Sequence, residues 1–157
     1  MRRQTWALRL LLSIVLAGIA IACALLYVAS LESAVNWPTL AYLRIPVFLL
    51  VSLGALPLVL IIALAFTYLR LVDEGEVLSE RAVRTLRRMR ALLGVFAGYF
   101  LVGFVAFWVV TGLMQLVLLL AWVGLEVLAL VGFVLIALFE RVFTTATQLR
   151  RDNDLTV

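Results

Sequence analysis

Histidine and lysine are absent from this chain, and cysteine occurs once, as Cys23. Without histidine there is no imidazole acid or base, and a zinc or haem site built from histidine and cysteine is excluded. A single thiol cannot close an intrachain disulfide. Every basic residue is therefore an arginine, which points to a GC-rich bacterial genome, since lysine codons are A-rich. Charge is scarce as well: 14% of the 157 residues are charged. A soluble domain carries about 25%. What fills the chain instead is apolar, 66% hydrophobic with a mean hydropathy of +1.20. No packed soluble core of this length needs so much, so the solvent for most of the chain is lipid. The net charge of +4 then reads as a membrane-surface signal rather than a nucleic-acid footprint, and direct nucleic-acid binding is not expected.

Long apolar runs set the architecture. The first covers about 6–31, with Arg9 its only basic residue. Arg2 and Arg3 ahead of it imitate a secretory signal, and Ala20-Ile21-Ala22-Cys23 imitates a lipoprotein signal. A signal's apolar region is roughly 7–15 residues. This run continues past Cys23 through Leu25, Leu26, Tyr27 and Val28, which makes it a membrane helix. The second run, about 43–71, holds Pro46 in its first turn, where a missing N–H costs little. Pro57 lies inside it and predicts a kink, sharpened by Gly54.

The third run, 91–139, contains no basic side chain. As one helix it would be about 73 Å long, more than twice a ~30 Å hydrocarbon core, so it must fold back. Thr111-Gly112 with Gln115 is its most polar place to turn, with Trp108 and Trp122 as interfacial anchors. Four spans result: about 6–31, 43–71, 91–111 and 117–140, joined by a loop over 72–90 and followed by a tail over 141–157. The expected fold is an all-α, integral membrane four-helix bundle forming one domain. With four spans, every arginine except Arg44 falls on the side of the two termini. The positive-inside rule makes that side cytoplasmic, so both termini face the cytoplasm of a bacterial cell membrane.

Few residues could carry chemistry. In Asp73-Glu74-Gly75-Glu76-Val77-Leu78-Ser79-Glu80, Gly75 suits a turn and Ser79 an N-cap. Leu78 and Val83 are spaced as a hydrophobic staple. Beyond the cap, Ala82, Val83, Leu86, Met89 and Leu93 recur at helical spacing, while Arg81, Arg84 and Arg88 line another face with Arg87 and Arg90 beside it. The sharp reading is a contact for a cytoplasmic partner or anionic lipid. The bland and preferred reading is a topology signal whose arginines meet lipid headgroups.

Glu126 is the one acid inside an apolar run, where a central charge costs about 2.5–3.5 kcal/mol on insertion scales. If the fourth helix starts near Val117, Glu126 is deep; if it starts near Trp122, Glu126 is shallow. A proton-linked site or a contact with Arg44 are the functional versions, and a shallow or paired structural role is preferred. Gly94 with Gly98, and Gly18 with Ala22, have the spacing that lets helices approach closely, within one chain or between chains. Cys23 reads as a small packing hydrophobe. In the tail, Asp152 and Asp154 are too few to hold a cation. The final Leu155-Thr156-Val157 could add to a partner's sheet edge, although a frayed end is the usual outcome. No nucleophile–base pair, phosphate-cradling loop or metal cluster appears. No enzyme and no cofactor is expected.

Three stretches carry a resemblance: Ala41-Tyr42-Leu43-Arg44-Ile45-Pro46-Val47, the Asp-x-Gly-x-x-x-Ser core within 70–90, and the terminal Asn153-Asp154-Leu155-Thr156-Val157. Together they resemble the domain-of-unknown-function 2975 family of small bacterial membrane proteins, over nearly the whole chain. The chain departs from it in lacking a polar outer loop between the third and fourth spans, and in using arginine for lysine. The resemblance implies four spans and no known activity. It also implies, by gene neighbourhood, a small cytoplasmic helix-turn-helix regulator as protein partner. The leading expectation is therefore a non-enzymatic multi-pass protein that modulates or sequesters such a regulator. An accessory subunit of a larger membrane complex is the second reading, and a small transporter or channel using Glu126 the third.

Overall fold

The computed structural model describes residues 2–36, 38–77, 79–112 and 116–154. It contains four α-helices, α1 (Arg2–Asn36), α2 (Arg44–Asp73), α3 (Glu80–Thr111) and α4 (Leu116–Asp154), with a 3₁₀ helix over Pro38–Leu43 between the first two. All four are long and apolar enough to cross a membrane, over Thr5–Glu32, Ala41–Asp73, Glu80–Thr111 and Leu119–Leu149. A span needs about 20 residues. At 39 residues α4 is about twice that length, so its polar end projects beyond the apolar stretch. Residues 80–90 and 141–154, placed outside the membrane spans, are helical continuations of α3 and α4.

Local turn chemistry sets the helix ends. The backbone N–H of Glu76 donates to Leu71 O at 2.9 Å and that of Gly75 to Val72 O at 3.2 Å. With Gly75 at φ 77°, this is a Schellman stop, a left-handed step that favours glycine. Ser79 then caps α3, its Oγ accepting the Ala82 N–H at 3.2 Å. At the other end, Gly112 at φ 64° closes α3, donating its N–H to Trp108 O at 2.8 Å. The turn between the last two spans is therefore where Thr111-Gly112 placed it. Leu78 of the expected staple and Gln115 of the expected turn lie outside the described residues. Pro46 sits in the first turn of α2, and α2 continues through Pro57 as one helix.

The expected four-helix bundle needs a correction. Among the described residues α1 packs on α2, α2 on α3 and α3 on α4, and no other pair of helices touches. A closed bundle would bring α1 against α4. The helices instead form an open row, and the exposed surface is 11254 Å². A compact soluble protein of this mass exposes about 7,900 Å². The physical reason is the solvent: lipid tails are as apolar as leucine, so nothing drives an apolar helix face out of lipid and the row need not close.

Two seams hold the row together. Between α2 and α3, Phe100 covers Gly54, and Leu50 lies over Gly103, where a Cβ would come 2.5 Å from a Leu50 methyl. Phe100 is braced by Phe96, with ring centroids 4.8 Å apart, and by Tyr99 at 5.8 Å. Between α3 and α4, Phe104 stacks on Trp122 with centroids 4.4 Å apart and planes 8° from parallel. Trp122, expected as an interfacial anchor, is thus part of the α3–α4 seam. Its neighbours Gly94 and Phe133, and Leu93 and Gly132, continue the same antiparallel register.

Candidate functional site

Alternating helix direction gathers the start of α1, the end of α2, the start of α3 and the end of α4 at one end of the row. Arg9 Nη2 meets Asp73 Oδ2 at 2.7 Å across α1 and α2, with both side chains partly exposed. Across α3 and α4, Glu140 is the central group, at 7% exposure a buried acid. Arg87 Nε donates to its Oε1 at 3.0 Å, and Arg90 Nη1 lies 3.1 Å from its Oε2. Arg90 also sits over the Phe133 ring, 5.8 Å from its centroid. An apolar face places one acid on α4 opposite two arginines on α3, and the pairing lets that acid be buried at the membrane boundary.

This divides the five arginines of α3. Arg87 and Arg90 point at α4 and hold Glu140. Arg81, Arg84 and Arg88, spaced three and four residues apart, share another face of the helix. They are exposed, and among the described residues none of them pairs with a carboxylate. Arg84 and Arg87 border a groove of about 300 Å³ with Thr144, Thr147 and Gln148 of α4. Glu140 went unremarked in the sequence because its partners are fifty or more residues away. The signal that could have found it is register: folding 91–139 back at Gly112 sets Glu140 across from Arg87.

Glu126 belongs to a different site. Because α4 begins at Leu116, Glu126 lies about 15 Å along it, half of a ~30 Å hydrocarbon core. This is the helix start that the deep placement assumes. Pairing with Arg44 is excluded among the described residues, since Arg44 opens α2 and α2 does not touch α4. Glu126 Oε1 is buried and has no hydrogen-bond partner. Trp122, one turn earlier, is its polar neighbour, close enough to interact but short of hydrogen-bond geometry. Beside the carboxyl runs a groove of about 360 Å³ lined by Leu93, Gly94, Ala97, Ala129, Leu130 and Phe133.

The glycine candidates separate too. Gly94 lies against Phe133, at ordinary contact distance for a Cβ, whereas Gly18 and Gly98 face open space. Ala22 is exposed and Cys23 half-buried. Gly54 and Gly103, which do meet a neighbouring helix, have no small-xxx-small spacing to announce them. Among the described residues no group of acids and cysteine is placed to hold a metal ion.

A family model described as "Protein of unknown function (DUF2975)" matches residues 28–157. The chain belongs to the DUF2975 family. The match covers most of this DUF2975 chain, including α2, α3, α4, the Glu140 clasp and Glu126, and it leaves out most of α1. No curated protein and no solved structure matches the chain.

Proposed function

We infer that this DUF2975 protein is a non-enzymatic, multi-pass membrane protein that acts by holding a cytoplasmic protein at the membrane. The observation that supports the reading most is the division of the α3 arginines. Two are committed to Glu140 and lock α3 to α4, leaving Arg81, Arg84 and Arg88 as an exposed cationic face that pairs with no carboxylate among the described residues. A basic face beyond the apolar span suits an acidic patch on a protein, and electrostatic complementarity then gives specificity and a fast on-rate. The positive-inside rule puts this end, with both termini, in the cytoplasm of a bacterial cell. A small helix-turn-helix regulator, held away from its target, is the partner proposed.

The test is a mild-detergent pull-down of the N-terminally tagged chain, with Arg81, Arg84 and Arg88 changed together to glutamate. Loss of the co-purifying protein with unchanged membrane insertion supports the reading; undiminished recovery refutes the surface. Arg87 and Arg90 stay out of the variant because reversing them would break the clasp.

An accessory-subunit role is the second reading, favoured by the open row, whose outer helices leave apolar faces uncovered by the chain itself. It expects co-migration with a much larger membrane assembly. Anionic lipid headgroups are the partners of the remaining exposed arginines in either case.

A further inference from the structure

The Glu126 carboxyl is not used by the cytoplasmic surface, and its surroundings are unusual for an acid. No basic side chain occurs between Ala91 and Phe139, so the apolar part of α3 and α4 contains no countercharge of its own. α3 is the only helix packed on α4 among the described residues. Its nearest ionisable groups are accounted for: Tyr99 stands edge-on to Phe100 beside Gly54 of α2, and Arg90 is bound to Glu140 and Phe133. On α4 itself the next charged residue is Glu140, nearly four turns away and neutralised by Arg87 and Arg90. An ionised carboxylate at this depth therefore needs a cation from outside the chain.

The space for one is present. The groove beside Glu126 is kept open by three small residues, Gly94, Ala97 and Ala129, and floored by Leu93, Leu130 and Phe133. Its volume, about 360 Å³, falls within the roughly 300–1,000 Å³ of small-molecule sites. Its walls are almost wholly apolar, with one acidic group, so a hydrated metal ion would find too few oxygen ligands. The chemistry that fits is an apolar body carrying a single diffuse positive charge, whose desolvation is cheap and whose charge meets the carboxylate. Phe133 adds an aromatic ring to the lining, a group that attracts cations.

We propose that the groove between α3 and α4 is a binding site for a lipophilic organic cation, with Glu126 as its counter-charge. The site lies in the membrane-embedded part of the hairpin and does not depend on the cytoplasmic partner.

The test uses the full chain, purified in a mild detergent, and tetraphenylphosphonium as the probe. Binding is read by equilibrium dialysis and by the change in tryptophan emission, since Trp122 lies one turn from Glu126. Tetraphenylborate, of the same shape and opposite charge, is the control for partition into detergent. The expected result is saturable phosphonium binding and no saturable borate binding. In Glu126→Gln affinity falls by roughly thirtyfold or more, the loss that follows removal of one partner of a buried charge pair. Ala97→Leu, which fills the groove and leaves the carboxyl in place, also abolishes binding. Far-UV circular dichroism and a single elution peak confirm that both variants are folded. Equal phosphonium binding by the native chain and Glu126→Gln overturns the proposal. So does the absence of saturable binding, including the case in which a second copy of the chain covers the groove and Glu126→Gln changes only the oligomeric state.

Discussion

Replacing Arg87 and Arg90 by alanine, singly and together, interrogates the α3–α4 clasp. Glu140 keeps only 10% of its side chain exposed, while Arg87 is 65% and Arg90 36% exposed. The arginines are thus largely screened by solvent, and each single loss resembles that of a surface pair, about 0.2–1 kcal/mol. Arg90→Ala falls at the upper end because it also removes the contact with Phe133, worth roughly 0.5–1 kcal/mol at an exposed site. The double variant differs in kind. It leaves a buried carboxylate with no partner, and breaking a buried pair costs about 3–5 kcal/mol. Partial exposure at the membrane boundary reduces that to about 2–3 kcal/mol. The two losses are therefore more than additive, since either arginine alone can neutralise Glu140. Glu140→Gln in the double-alanine background removes the stranded charge and recovers most of the difference. Reversible unfolding in mixed micelles, titrated with sodium dodecyl sulfate and followed by circular dichroism, measures all four variants against the native chain. Additive single losses, or no recovery on Glu140→Gln, would refute the clasp as an electrostatic unit.

The glycines give a graded series under the same unfolding assay. Gly54→Ala pushes on the Phe100 ring, which Phe96 and Tyr99 hold in place, and costs about 1–3 kcal/mol. Gly103→Ala meets a Leu50 methyl that can rotate aside and costs less, and Gly98→Ala, facing open space, changes stability by about 0.5 kcal/mol or less. A reversed order would show that the α2–α3 seam is misplaced. For Arg9 and Asp73, charge reversal of either residue alone loosens α1 from α2, and the double exchange restores the contact. The readout is cross-linking between cysteines introduced on the two helices in a Cys23→Ser background, and equal cross-linking in all four proteins would discount the pair.

What was legible in the sequence was local. Gly75, Ser79 and Gly112 mark helix ends because a left-handed step and an N-cap are decided by the residue itself and its nearest backbone. Four spans followed from run length against membrane thickness. What was illegible was relational. The Gly94/Gly98 and Gly18/Ala22 spacings say that a helix face is small, but not whether a neighbour lies on it; Gly54, Gly103 and Gly132 are the glycines that meet side chains at close range. Trp122 looked like an anchor because tryptophan favours the interface, yet an aromatic partner on α3 draws it into the seam. The depth of Glu126 hinged on a turn whose position shifts it by several residues. Glu140 was not singled out, because only the hairpin register sets it between two arginines. Whether the four spans close into a bundle was illegible as well, because in lipid nothing forces an uncovered apolar face inward.

The open row also bears on how the chain is made. Because, among the described residues, each α-helix contacts only those adjacent in sequence, these interfaces are complete once the next helix has left the ribosome. α1 and α2 can associate while α3 is still being synthesised, and no early helix must wait for the last one to cover it. Non-local pairing is what slows folding and exposes chains to misassembly. This architecture requires almost none, so the order of synthesis is also the order of assembly.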